Sequence, residues 1–118
     1  MLAITQKPEP PGVTLIIQGD LNAVTSPDLE RSLTALLSSD HAHVVVDLAG
    51  VSYVSSAGLR VFLVCAKQAK RANRGLALCQ LQAQILQLFD CAGMTPLFPM
   101  HPTADDAHAA LRQRAAAK

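Results

Sequence analysis

The chain has no tryptophan and a single tyrosine, Tyr53, and among its 118 residues ten Lys and Arg nearly balance nine Asp and Glu. Its three phenylalanines, Phe62, Phe89 and Phe98, each stand among apolar neighbours. The interleaving of aromatic and basic residues on which single-stranded nucleic acid stacks is therefore missing. A net charge of +1 draws the chain as a whole to neither nucleic acid nor a membrane, so a partner must be chosen by a local surface. There is no basic start followed by an unbroken apolar stretch, and no later run long enough to span a bilayer. These absences predict a cytoplasmic protein with no direct membrane insertion. Cys65, Cys79 and Cys91 show no CxxC spacing, and two of the three fall in apolar patterns that want a small hydrophobe. They read as packing residues in a reducing compartment rather than as disulfide or metal partners.

Catalytic signatures are equally sparse. A nucleophile elbow needs Gly-x-Ser-x-Gly, and with Ser56 at the centre the first position is Val54. No spacing ties His41, His43, His101 or His108 to Ser56 as a base. Only His41 and His43 lie close enough to suggest a metal, and they read as solvated residues at the start of a strand. No Walker or Rossmann glycine loop is present. The expectation is a protein that is not an enzyme and uses no cofactor or metal. Half of the residues are apolar, enough for one core, and the chain is too short to divide into two domains. No internal repeat or low-complexity tract is evident.

What the chain does have is the stretch from Val44 to Phe62. Val44, Val45, Val46 and Leu48 form a β-branched run suited to a buried strand, with Asp47 and Gly50 marking its exit, and Val51 to Val54 can add a second extended piece. Leu59, Phe62, Leu63 and Ala66 then recur at i, i+3, i+4 and i+7, the spacing of one helical face, and Val61, Val64 and Cys65 widen it. Ser55 and Ser56 sit at the start of that helix. Unpaired N–H groups and the positive end of the dipole gather there, so a serine can cap it and a phosphate would be tolerated. Asn73-Arg74-Gly75 supplies the stop. Arg60, Lys67, Arg71 and Arg74 align four cations at i, i+7, i+11 and i+14, either a solvated face or a docking stripe.

Leu2 to Thr5 can form a short strand before the break at Pro8, Pro10, Pro11 and Gly12, and Val13 to Gln18 is a stronger one, ended by Gly19-Asp20. Ser26 can cap the next helix, with Pro27 at its first position, Asp28 at its dipole end, and Leu29, Leu33, Leu36 and Leu37 as its core stripe. Leu76 to Cys79 reads as a strand, and Leu81, Ile85, Leu88 and Phe89 as a helix stopped by Gly93. Met94 to Phe98 can give an edge strand containing Pro96. Thr103 to Asp106 resembles a capping box, with Arg112, Arg114 and Lys118 at the far end of the last helix, whose Ala-rich tail frays. The alternation of strands and helices predicts an α/β domain.

The residues Asp47-Leu48, Ser52-Tyr53-Val54-Ser55-Ser56-Ala57-Gly58-Leu59-Arg60, Gly19-Asp20-Leu21-Asn22, and Leu88-Phe89-Asp90-Cys91-Ala92-Gly93-Met94 resemble the STAS domain of bacterial anti-sigma factor antagonists. The resemblance runs from about Val13 to Leu111. It implies a single STAS-like domain, 1–118, whose mixed sheet of four to five strands is packed with about four helices. It implies that Ser56 is phosphorylated by a partner kinase, with Ser55 as a rival acceptor, because the family's frequent aspartate before that position and Ser or Thr after it are replaced here by Ser55 and Ala57. Asp20 and Asn22 match the family's GELD-like loop, with Asn22 in place of the usual acid. The implied partner surface is Asp20, Asn22, Thr25, Asp47, Ser55, Ser56, Ala57, Gly58 and Arg60, with turn formation and capping as alternative roles for the polar ones. The implied partners are an anti-sigma factor or related serine kinase regulator and a serine phosphatase. A second reading is a structural STAS subunit of a transporter or stressosome-like assembly, bound constitutively.

Overall fold

Five extended segments pair in the order in which they occur along the chain. In the computed structural model, which describes residues 2–116 with side chains as far as Gln113, these are β1 (Ala3–Glu9), β2 (Gly12–Gln18), β3 (His43–Gly50), β4 (Gly75–Cys79) and β5 (Met100–His101). β1 runs antiparallel to β2, and every later pair is parallel. Each parallel pair needs a crossover, supplied in turn by α1 (Ser26–Leu37), α2 (Ser56–Ala72) and α3 (Ala83–Cys91). Right-handed crossovers that always advance the same way across a sheet put their helices on the same face. The packing agrees: Leu29, Leu33, Val61, Phe62, Ile85 and Phe89 share one apolar cluster with alternate residues of β2, β3 and β4. α4 (Ala104–Ala116) follows the last strand and covers the other face, where Val45, Ala77, Cys79, Ala107 and Leu111 form a second, smaller cluster. This is the expected mixed α/β sheet with four helices.

Three phenylalanines lock the larger core. Phe62 of α2 meets Phe89 of α3 edge-on at 5.4 Å between centroids, and Phe98 closes the triangle at 6.2 and 6.1 Å. Edge-on pairs of this kind add to the burial of the rings themselves.

Several local expectations are corrected. β1 continues through Pro8, which stands opposite Val13, to Glu9; proline is tolerated because β1 is an edge strand. Val51 to Val54 is not a strand, and only Val54 pairs, in a single bridge to Leu21. Met94 to Phe98 is not the edge strand either. Its centre, Thr95–Leu97, is a 3-10 turn with Pro96 in its first positions, and the edge is Met100–His101. Leu81 precedes α3 rather than opening it. Ser26 does not cap α1: the capping position is Thr25, and the buried Ser26 Oγ has no partner among the described residues.

The buried face of α2 is Gly58, Val61, Phe62, Cys65 and Ala69, one position away from the expected stripe. Leu59, Leu63 and Ala66 flank it half-buried, and Val64 is 41% exposed. α2 ends at Ala72 on Asn73 in the left-handed conformation (φ 56°), as the sequence predicts. Arg74 therefore leaves the basic stripe, and its Nη1 donates to the His41 carbonyl at 3.1 Å. His43, expected at a solvated strand start, is buried. Thr103 Oγ1 accepts from the Asp106 N–H at 3.1 Å, half of the expected capping box. Lys118 and the side chain of Arg114 lie outside the described residues.

Phe62 is fully buried as one corner of the aromatic triangle. Phe62→Ala should lower the unfolding free energy by roughly 3 to 5 kcal/mol in a urea titration, and a loss below about 1 kcal/mol would contradict this packing.

Candidate functional site

Parallel strands that advance in one direction deliver their following loops to one edge of the sheet, and here those of β2 and β3 are tied directly together. Gly19 N–H donates to the Gly50 carbonyl at 3.0 Å, Leu21 N–H to the Tyr53 carbonyl at 2.9 Å, and Ser55 N–H to the Leu21 carbonyl at 2.7 Å. These bonds surround the Leu21–Val54 bridge and set Asp20, Asn22 and Thr25 beside the start of α2.

Within the first loop, polar side chains bond to the backbone and to each other. Asn22 Oδ1 accepts from the N–H groups of Val24 (2.9 Å) and Thr25 (3.0 Å). Thr25 Oγ1 accepts from Asn22 N–H at 3.0 Å and donates to the Asp20 carbonyl at 2.6 Å. Asn22 and Thr25 thus shape the loop, the turn-forming role the sequence left open. Asp20 is exposed.

The second loop ends in two serines with different duties. Ser55 is the N-cap of α2, extended at φ −83° and ψ 175°, and its Oγ accepts from Gly58 N–H at 3.3 Å. Ser56, the first helical residue, is exposed, and its hydroxyl makes no hydrogen bond among the described residues. Of the two hydroxyls, the free and accessible one is Ser56.

Gly58 is buried rather than presented to solvent. A Cβ there would lie 2.9 Å from Val54 Cγ1 and 3.1 Å from Leu21 Cβ, so the helix start rests on the bridge itself. Its lack of a side chain serves close internal approach. Ala57 and Arg60 face outward, lining with Ala23, Pro27, Glu30 and Val64 a groove of about 360 Å³ between the starts of α1 and α2. Asp47 does not join this group. Strand alternation turns it to the same face as Val45, and its carboxylate accepts from Ala49 N–H (3.0 Å) and the Gln80 amide (3.3 Å).

The sequence reading missed the apolar members of this surface. Val24 is 83% exposed and Tyr53 52% exposed, on the two tied loops, and Val64 borders the groove one turn beyond Arg60. The available signal was Val24, a lone β-branched residue among loop formers, and Tyr53, an aromatic set among serines and valines just before the helix start. Among the described residues no cluster of three or more His, Cys, Asp or Glu could hold a metal ion.

A model of the STAS domain matches residues 3–107. BtrV of Bordetella bronchiseptica, assigned as an anti-sigma factor antagonist, is 35% identical over 96 residues, covering 81% of this chain and 83% of that protein. The chain belongs to the STAS domain family, among the anti-sigma factor antagonists. Members of this kind are regulatory binding proteins rather than enzymes. The fold of this STAS domain matches the crystal structure of an anti-sigma factor antagonist from Mycobacterium paratuberculosis with a TM-score of 0.86, at 22% identity and 95% coverage of both chains. It also matches the phosphorylated form of the Bacillus cell fate determinant SpoIIAA with a TM-score of 0.71, at 13% identity, covering 92% of this chain and 99% of that one. No helix among the described residues is long and apolar enough to cross a membrane.

The two serines separate by stability. Ser55→Ala removes the cap and should cost about 1 kcal/mol of unfolding free energy, whereas Ser56→Ala should stay within about 0.5 kcal/mol of wild type. Gly58→Leu should abolish cooperative folding in a thermal melt. A folded Gly58→Leu domain with a wild-type melting temperature would overturn the assignment of this glycine to the bridge.

Proposed function

We propose that the domain is a phosphorylation-controlled binding switch. Unphosphorylated, it binds an anti-sigma factor or related serine kinase regulator through the surface around Ser56; phosphorylation of Ser56 by that regulator releases it, and a serine phosphatase resets it. The observation that carries this reading is the pairing at the start of α2, with the Ser55 hydroxyl held as a cap and the Ser56 hydroxyl exposed and unbonded among the described residues. Val24 and Tyr53 supply apolar anchors on either side, and Ala57 and Arg60 extend the surface toward the groove. The likeness to SpoIIAA, a protein solved in a phosphorylated form, supports the same reading.

The release follows from electrostatics. A phosphoserine carries close to two negative charges at neutral pH, and at a helix N-terminus the dipole and free N–H groups favour that charge. The fold therefore stays intact. In the complex the same group would be desolvated against a surface shaped for a bare hydroxyl, and an unpaired buried charge can cost several kcal/mol. A hundredfold loss of affinity needs only about 2.7 kcal/mol.

Incubation with a cognate kinase and ATP should add one phosphate, retained in Ser55→Ala and lost in Ser56→Ala. Ser56→Asp should weaken partner binding while its melting temperature stays near wild type. Mapping of the phosphate to Ser55 would overturn the residue assignment. Binding that persists with no modification by any cognate kinase would favour the constitutive structural subunit, and a large fall in melting temperature on phosphorylation would replace charge repulsion with local unfolding as the mechanism.

A further inference from the structure

The face of the sheet away from the three crossover helices carries a polar line that the binding switch does not use. Thr14 on β2, His43 on β3 and His108 on α4 are buried, at 2%, 2% and 1% exposure. Thr14 Oγ1 lies 2.6 Å from His108 Nε2, and His108 Nδ1 lies 3.0 Å from His43 Nε2. The fit leaves no slack. A Cβ on Gly12 would collide with the His43 ring, and one on Gly75 would lie 2.9 Å from both His43 Cβ and Leu111 Cδ2.

We propose that α4 is a proton-released cover: protonation of the His43–His108 pair in mild acid detaches α4 from β3 and β4 while the larger core stays folded, and this opens Cys79 to solvent. The hydrogen-bonded line carries one proton between the two rings, with the Thr14 hydroxyl donating or accepting at its end. A second proton between them sets N–H against N–H and breaks the contact. Even the first added proton places a cation in a buried site, and burial opposes that cation at both rings. Arg112 on α4 acts against protonation of both rings; His41, before β3, acts against His43, and Lys7 on β1 against His108. Only Glu9 on β1 and Asp105 on α4 favour the charged form, and they act on His108. Burial, helped by the neighbouring cations, pulls His43 from its ordinary 6.5 down to about 4, and at His108 burial outweighs the pull of Glu9 and Asp105 and lowers it as well.

The sign follows directly. A released histidine binds its proton near 6.5 and the buried one does not, so the closed state is fully favoured above that pH and loses ground as pH falls toward 4. For His43 alone the closed-to-open ratio falls roughly thirtyfold by pH 5. The apolar grip that must be overcome is small, since Ala107, Leu111 and Ala104 sit on Val45, Ala77 and Cys79. The larger cluster beneath α1, α2 and α3 has no part in this contact. Protonation thus acts on the less stable unit of the domain.

The cysteines report each state separately. Cys91 is exposed, Cys65 is buried in the larger core, and Cys79 is buried in the smaller one. The purified protein would be labelled with 4,4′-dithiodipyridine, a disulfide that reacts with thiols in acid as well as at neutral pH, and mapped by peptide mass spectrometry. At pH 7.5 only Cys91 should label. At pH 5 Cys79 should gain reactivity by roughly thirtyfold relative to Cys91, with Cys65 still protected. Two exposed-end charges give opposite shifts: Arg112→Gln should move the onset of Cys79 labelling to lower pH, and Glu9→Gln to higher pH. His108→Gln should remove the pH dependence, and if that variant does not fold the two surface variants decide alone. Labelling of Cys65 in parallel with Cys79, protection of Cys79 down to pH 4, or no shift in either surface variant would each overturn the proposal.

Discussion

A single pair of residues, Leu21 and Val54, sets the geometry on which the site depends. The bridge between them and the three backbone bonds around it join two loops that the sheet would otherwise leave as independent excursions. Gly58 rests on that joint with no room for a side chain. The first turn of α2 is therefore positioned from below, by backbone, before any of its outward side chains is considered. Ser56, Ala57 and Arg60 inherit their direction from it. A surface built on backbone contacts can vary its exposed residues without moving.

How much of this was legible in the sequence depends on the range of the interaction. The strands β2, β3 and β4, the start and stop of α2, and the core stripe of α1 follow from patterns that repeat within ten or so residues. The same holds for the serine pair, because capping is a local event. The His43–His108 contact joins residues 65 apart and has no local pattern at all. A histidine before a β-branched run looks solvated until a helix from the end of the chain is laid over it. Asp47, expected on the partner surface with the loop residues, is sent to the opposite face by the alternation of the strand. The prolines misled in two directions. Pro8 is harmless on an edge strand, and Pro96 starts a tight turn where an extended strand was expected.

The two faces of the sheet carry unequal shares. The crossover helices and their aromatic triangle bury most of the apolar side chains and hold the end that carries Ser56, whereas α4 lies on a narrow patch of mainly small residues supplemented by a polar contact. The serines sit where the chain leaves β3, and the histidine pair sits where the chain enters it. The serine pair and His43 thus stand at opposite ends of one strand.

The order of the strands in space is also their order in the chain, β1 through β5. During synthesis, each strand that leaves the ribosome finds its neighbour already made and presenting a free edge, so no gap in the sheet has to be held open for a segment still to come. The hairpin of β1 and β2 can start the sheet, α1 and β3 extend it, and the segment bearing the serines is placed as soon as α2 can settle on what precedes it. Among the described elements, α4 alone turns back from β5 to a face formed by earlier strands. The direction of synthesis and the direction of assembly coincide from β1 to β5.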